Sequence, residues 1–200
     1  MTDGITIFRG LHPHLQPDAA RIYWDAFGSK LGRVLGPTPR ALAFFQRVMR
    51  LDHCFTAIAA DGSLVGLAGF RTAQGSFAGG GWSDLRAVYG LWGAEWRGAA
   101  LWLLGGDTDA DRFLIDGICV ARDHRSRGVG TRLLEALYAE ATARGHAAIR
   151  LDVIDGNWRA RALYARHGFT PTRTERLGPL RHLFGFKAST TMVRPLPLGP

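Results

Sequence analysis

Apolar and polar residues alternate briefly across Ile5-Thr-Ile-Phe-Arg9, the spacing of a short strand. Ala19, Ile22, Tyr23 and Ala26 then recur at three- and four-residue intervals, which predicts a helix over residues 18–27. The glycine-punctuated stretch 28–36 reads as a break. Thr38-Pro39 follows as an N-cap and a proline at the first helical position, opening a helix to about residue 50 with Leu42, Phe45 and Met49 inward. Strand-like runs at 54–60 and 64–70 flank Asp61-Gly62-Ser63, a tight-turn composition, and predict a hairpin.

Beyond the loose stretch 75–81, Trp82, Leu85, Tyr89, Trp92, Trp96, Ala99 and Leu103 fall on one helical stripe. A helix packed on the core is expected there, although Gly90, Gly93 and Gly98 each weaken it by about 1 kcal/mol relative to alanine. Residues 113–120, Phe-Leu-Ile-Asp-Gly-Ile-Cys-Val, suit a buried central strand. A polar connection leads to Gly128-Val-Gly130 and a helix with Val129, Leu133, Leu137 and Ala141 on one side. Residues 148–154 form the next strand, followed by a helix over about 157–167 that Gly168 terminates, and strands at 169–175 and 189–194. The pattern predicts an α/β fold in one domain over residues 1–194, with 75–106 as an aromatic helical insertion and 195–200 as a flexible tail.

Composition narrows the classes. The chain has 200 residues, 46% hydrophobic and 21% charged, enough apolar material for one core and too little charge for a disordered chain. The formal net charge of +8 raises the question of a polyanionic partner. Lysine occurs only at Lys30 and Lys187, so the charge is nearly all arginine, scattered and without a recognition motif; specific nucleic-acid binding is not expected. Cys54 and Cys119 are far apart with no histidine beside them, and His12-Pro-His14 falls short of a metal constellation, so neither disulfide nor metal is expected. The opening residues lack a basic start followed by an apolar run, and no segment approaches the roughly 20 apolar residues of a membrane helix. A cytoplasmic setting away from membranes is the expectation.

Chemistry concentrates after the strand at 113–120. Glycines at 128 and 130 remove side chains where backbone amides could approach an anion, and the helix N-terminus adds unpaired N–H donors and a positive dipole end. Arg125 and Arg127 add charge, and a guanidinium engages phosphate oxygens bidentately. A Walker A loop would require Gly-Lys-Ser/Thr, and a dinucleotide fingerprint a third glycine with a later acidic residue; neither fits. Read alone, the loop leaves two readings: a pyrophosphate cradle, or glycines that only turn a strand into a helix.

The order Ile118-Cys-Val120, Arg125-x-x-Gly128-x-Gly130, Leu151-Asp-Val153, Asn157-x-x-Ala160-x-x-Leu163-Tyr164 and Gly168-Phe169 resembles the GNAT superfamily of N-acetyltransferases. The resemblance is strong over residues 113–170 and weaker over the whole chain, where it lies in the order of elements. It implies a mixed, mostly antiparallel sheet, splayed between the fourth and fifth strands and flanked by helices on both faces. It implies acetyl-CoA as co-substrate, with Ile118, Cys119 and Val120 presenting backbone groups to the pantetheine and acetyl part. Arg125, Ser126, Arg127, Gly128, Val129, Gly130 and Thr131 would cradle the pyrophosphate, with Asn157 and Ala160 on the cofactor arm. The aromatic stretch before the cofactor-binding half is longer than the family's usual segment, which marks the acceptor side as individual.

The resemblance places Tyr164 where a phenol reaches the cofactor sulfur, so it is the expected general acid for the departing thiolate. Asp152 stands where ribosomal-protein N-terminal acetyltransferases carry an acidic residue and is the first candidate base; Asp116 is the second. Either carboxylate also suits a solvated or salt-bridged strand residue. Cys119 reads as packing. The stretch holding Trp82, Trp92, Trp96 and Trp102 could instead wall the acceptor pocket or form a homodimer contact, with Glu95 reading a cationic substrate. The expected activity is direct transfer of acetyl from acetyl-CoA to a primary amine, of a small molecule or a peptide, with strand amides near Val120 meeting the oxyanion. A non-catalytic acyl-CoA-binding regulatory module is the alternative.

Overall fold

The computed structural model describes residues 4–104 and 113–197. Its strands are β1 (Thr6–Arg9), β2 (Cys54–Ile58), β3 (Leu64–Thr72), the two-residue β4 (Gly75–Ser76), β5 (Phe113–Val120), β6 (Ala148–Ile154), β7 (Thr170–Arg176) and β8 (Ala188–Pro195). They form one sheet in the order β1-β2-β3-β5-β6-β8-β7, with β4 beside β3. All pairings are antiparallel except β5 with β6, which is parallel. The mixed, mostly antiparallel sheet expected from the sequence is therefore the one observed.

The helices are α1 (Gln16–Leu35), α2 (Thr38–Val48), α3 (Trp82–Leu104), α4 (Val129–Ala143), α5 (Trp158–Arg166) and the single-turn α6 (Arg181–Phe184). They build two cores, one on each face of the sheet. Ala19, Ala20, Tyr23, Phe44, Phe45, Leu85, Tyr89 and Phe184 pack α1, α2, α3 and α6 against one face. Val129, Leu133, Leu134, Leu137, Ala141 and Tyr164 pack α4 and α5 against the other, over Ile149, Leu151 and Val153 of β6. The inward residues of α4 are those its spacing predicts, with Leu134 in addition.

Three segments depart from the sequence expectation. First, α1 runs to Leu35 instead of ending near Phe27, continuing through Gly28 and Gly32. Burial of Val34 and Leu35 in the core offsets the glycine penalty, and the helix stops only at Gly36 and Pro37. Second, α3 is broken at Gly90, whose φ of 72° and ψ of 177° lie outside the helical region and suit glycine alone. In a straight helix Trp82 and Gly98 would lie about 24 Å apart. Instead the Trp82 ring covers Gly98 so closely that a Cβ there would come within 2.4 Å of it. The break shifts the stripe out of phase: Leu85, Tyr89, Ala94 and Ala100 are buried, whereas Trp92 (86% exposed) and Trp102 (76%) face outward with half-exposed Trp82 and Trp96. The expectation that the tryptophans pack on the core is thus overturned.

Third, the β7–β8 connection carries a 3₁₀ turn (Gly178–Leu180) and α6, which the sequence pattern did not reveal. Phe184 and Phe186 bury against the α1 side, and Arg33 of α1 donates to the carbonyl of His182. At the other end of the sheet, Leu196 is buried and its N–H donates to the Ala147 carbonyl at 2.8 Å, so the chain is fastened past residue 195; residues 198–200 of the expected tail lie outside the described residues.

Candidate active site

The site begins with a ladder that stops early. Among the described residues, β5 and β6 pair only at Phe113↔Ile149, Leu114↔Arg150 and Ile115↔Leu151. Beyond that point β6 stays on β8, as Asp152↔Thr191, Val153↔Thr190 and Ile154↔Ser189, while β5 stays on β3 through Ile118, Cys119 and Val120. The two strands separate as the splay predicts, and among the described residues no strand pairs with the edge of 116–120 facing β6. A bulge at Asp116, between the Gly69↔Gly117 and Phe70↔Ile115 pairs, shifts the alternation of β5. Ile118 and Val120 then join Phe113 and Ile115 on the α4 face, and Cys119 turns to the α1 face.

Both strands feed helices at this end. After β5 the chain passes a 3₁₀ turn (Arg122–His124), then Ser126 at φ 61° and Gly128 at φ 78°, before α4 starts. Left-handed residues so close together turn successive N–H groups to one side, making an anion-binding concavity. Gly128 caps α4 without a side-chain hydrogen bond and no acidic residue occupies the first turn, so neither a cap nor a carboxylate of that turn neutralises those donors. The Arg132 N–H is bonded to the Gly128 carbonyl, which leaves the N–H groups of Val129, Gly130 and Thr131 ahead of the helical ladder. Arg125 and Arg127 are exposed at the same end, and Arg125 Nε donates to the Val120 carbonyl at 3.0 Å, tying the loop to the end of β5. A side chain at Gly130 would project between Leu163 of α5 and Val120 of β5, at 3.8 and 4.0 Å, so glycine keeps that gap clear.

Asn157 caps α5: its side-chain oxygen accepts from the Ala160 N–H at 3.2 Å, leaving its NH2 group for other contacts. Thr131 Oγ1 lies 3.5 Å from His167 Nε2, linking the start of α4 to the end of α5. Tyr164, on α5, is buried against Phe169 with Val129, Val153, Ile118 and Val120 in the same core. Burial raises its phenol above the ordinary value, and Cys119 and Tyr138 push in the same direction, so the proton is held firmly. Burial likewise pushes the Cys119 thiol up to about 12, with Lys30 and Arg125 pulling against it. Cys119 is thus a protonated core residue.

The two candidate carboxylates differ. Asp116 is buried at the bulge, where Oδ2 accepts from Ser76 Oγ at 2.5 Å and the Phe77 N–H at 3.0 Å while Oδ1 faces Arg71 at 3.4 Å. Both oxygens are engaged: Oδ2 holds β4 and its loop on the sheet, and Oδ1 is paired with Arg71 of β3. Asp152 is exposed, on the face opposite Leu151 and Val153, accepting from Thr191 Oγ1 at 2.5 Å and facing Arg150 at 3.6 Å. The structure therefore puts Asp152 and Tyr164 on opposite faces of the sheet at the splayed end. Glu95, on the aromatic helix, pairs with Arg86 at 2.7 Å.

Sequence reasoning missed the stripe of α1 that covers the splayed end. A Cβ on Gly117 would fall within 2.5 Å of the Phe27 ring, so that ring lies directly on β5. Tyr23 packs on Phe27 with the rings tilted and 4.5 Å between centroids, and Lys30 Nζ stands 5.0 Å from the centre of the same ring. The spacing 23, 27, 30 is a helical stripe, obscured because the expected helix ended at Phe27.

The donor-lined turn, the freed strand edge and the cleared gap at Gly130 fit an elongated thioester arm ending in a diphosphate, as acetyl-CoA is. Among the described residues, no group of three or more His, Cys, Asp or Glu side chains is placed to hold a metal ion, and no helix is long and apolar enough to cross a membrane.

Comparison with known proteins agrees with this geometry. Among curated proteins, the probable N-acetyltransferase camello of Xenopus tropicalis is 36% identical over 97 residues, covering 47% of this chain and 44% of the frog protein, so the likeness spans under half of that relative. An N-acetyltransferase from Staphylococcus aureus Mu50 shares the fold with a TM-score of 0.64 at 17% identity, covering 94% of this chain and 99% of the other. The ribosomal-protein-S18-alanine N-acetyltransferase from Escherichia coli does so at 0.61 and 20% identity, covering 98% and 96%. A putative streptothricin acetyltransferase from Bacillus anthracis, solved in complex with acetyl coenzyme A, matches at 0.50 and 14% identity over 76% of this chain and 68% of its own. Residues 17–169 match the model of the acetyltransferase (GNAT) family, and with most of the chain so covered, the protein belongs to that family.

Proposed function

We propose that the chain transfers an acetyl group from acetyl-CoA to a primary amine by direct attack, with no acyl-enzyme. The observation that carries this reading is the main-chain edge of residues 116–120, freed where β6 departs, with the uncapped first turn of α4 at its end. When bound, acetyl-CoA supplies an acyl group already activated as a thioester. Gly128, Val129, Gly130 and Thr131 offer N–H donors to its diphosphate, and Arg125 and Arg127 add charge. Ile118 to Val120 offer backbone groups to the arm, and Asn157 its free amide.

As the N–C bond forms and the C–S bond breaks, the amine must shed a proton and the departing sulfur must gain one. The division of faces suits both needs. Tyr164 holds its proton on the α4 and α5 face and gives it to the sulfur, and Asp152 on the other face accepts from the amine, directly or through water. Asp116, with both oxygens engaged, positions the bulge instead.

The test is calorimetry with acetyl-CoA followed by an amine panel with thiol detection. Micromolar binding and amine-dependent thiol release are expected. Binding without thiol release across the panel would replace the transferase with an acyl-CoA-binding module, and failure of well-folded protein to bind acetyl-CoA would remove both.

A further inference from the structure

We infer that Lys30 selects acceptors in which a carboxylate accompanies the reactive amine. The inference rests on the transferase reading and names the substrate class of the same site.

Lys30 stands on the third turn of the α1 stripe, after Tyr23 and Phe27, above the splayed end of β5. Its ammonium lies against the Phe27 ring, and that ring lies on Gly117, next to the segment that carries the thioester in the reading above. Two cations of the sheet on this face have carboxylates: Arg71 faces Asp116 at 3.4 Å and Arg150 faces Asp152 at 3.6 Å. Lys30 has no hydrogen bond or ion pair among the described residues; the Phe27 ring is its partner. Burial lowers its pKa, as expected for a charge short of water and of a counter-ion.

Such a cation repels a second ammonium and attracts an anion. A polyamine, which carries further ammonium groups along its chain, suits this surface poorly. An amine carrying a carboxylate a few atoms away satisfies it: the carboxylate meets Lys30 while the nitrogen points at the thioester, and the pairing fixes the direction of attack. The choice of lysine is informative in a chain whose positive charge is nearly all arginine. A compact ammonium on a flexible stem lies against the Phe27 ring, where a planar guanidinium demands more room.

The experiment measures kcat/KM for matched pairs of free L-amino acids and their amides, in the unaltered protein and in Lys30→Met and Lys30→Arg. The amide's amine is the less basic of each pair, so ordinary nucleophile chemistry at pH 8 does not create a preference for the acid. The unaltered protein is expected to prefer the acids. Lys30→Met should lower kcat/KM for acids about 10–100-fold, the usual worth of a hydrogen bond to a charged group, and leave amides unchanged. Lys30→Arg should retain part of the preference. Acetyl-CoA affinity should be the same in all three proteins.

Equal use of acids and amides by the unaltered protein would overturn the inference while leaving the transferase intact. Equal loss on both acceptor types in Lys30→Met would overturn it too, as would acetylation of Lys30 itself detected by mass spectrometry. A protein that binds no acetyl-CoA would remove the transferase reading and this inference together.

Discussion

The two faces of the sheet do their work with different parts of the chain. On the α4 and α5 face the site is made of backbone: the edge of β5, the donors opening α4, and the left-handed turn through Ser126 and Gly128. On the α1 face it is made of side chains: Tyr23, Phe27 and Lys30 over Gly117, with Arg71, Asp116, Arg150 and Asp152 around them. A backbone site needs only the right turns, so it recognises what every substrate of the reaction shares. A side-chain site depends on residue identity, and there the proposed reaction distinguishes its acceptors.

That contrast can be broken at three points. The largest effect is expected from Tyr164→Phe, the one side chain to which the backbone face commits its chemistry. Loss of the acid should lower kcat about 100-fold while the acetyl-CoA Kd stays the same, as read by steady-state kinetics and calorimetry; parallel losses in both would deny the acid role. Since burial raises the Tyr164 pKa, its protonated form persists as pH rises. The rate should therefore climb with amine deprotonation and show no descending limb below about pH 10, where an ordinary phenol begins to ionise.

A smaller effect, about 10-fold or more in acetyl-CoA affinity, is expected from Gly128→Val. A β-branched residue tolerates a φ of 78° poorly, so the turn must move and the donors of α4 lose their aim. An unchanged Kd would show that the cradle does not depend on this turn. The smallest effect is expected from Trp92→Ser, at an outward site 86% exposed. Stability in chemical denaturation should change by no more than about 0.5 kcal/mol. A larger loss would mean that this tryptophan packs on the core after all.

The same contrast explains how far the sequence could be read. The strand at 148–154 and the inward stripe Val129, Leu133, Leu137 and Ala141 of α4 follow directly from hydrophobic period. The turn into α4 shows in its glycines, because a left-handed backbone restricts the residues that can occupy it. The end of α1 was not legible: local propensity argues for a stop after Phe27, and only the burial of Val34 and Leu35 carries the helix onward. That hid Lys30. The break at Gly90 was equally hidden, since a glycine in a helical pattern reads as a tolerated weakness until its dihedral angles are known. Tyr164 and Asp152 were legible as positions, but their placement on opposite faces depends on the sheet around them.

The short seam between β5 and β6 has a mechanical consequence. Among the described residues, three residue pairs at one end stitch the left half of the sheet to the right, and no ladder pair fastens them further along. Whatever lies along the loose margin of β5 lengthens that stitch, so in the proposed reaction loading the donor substrate stiffens the molecule across its middle and brings the walls on either side into register for the second reactant.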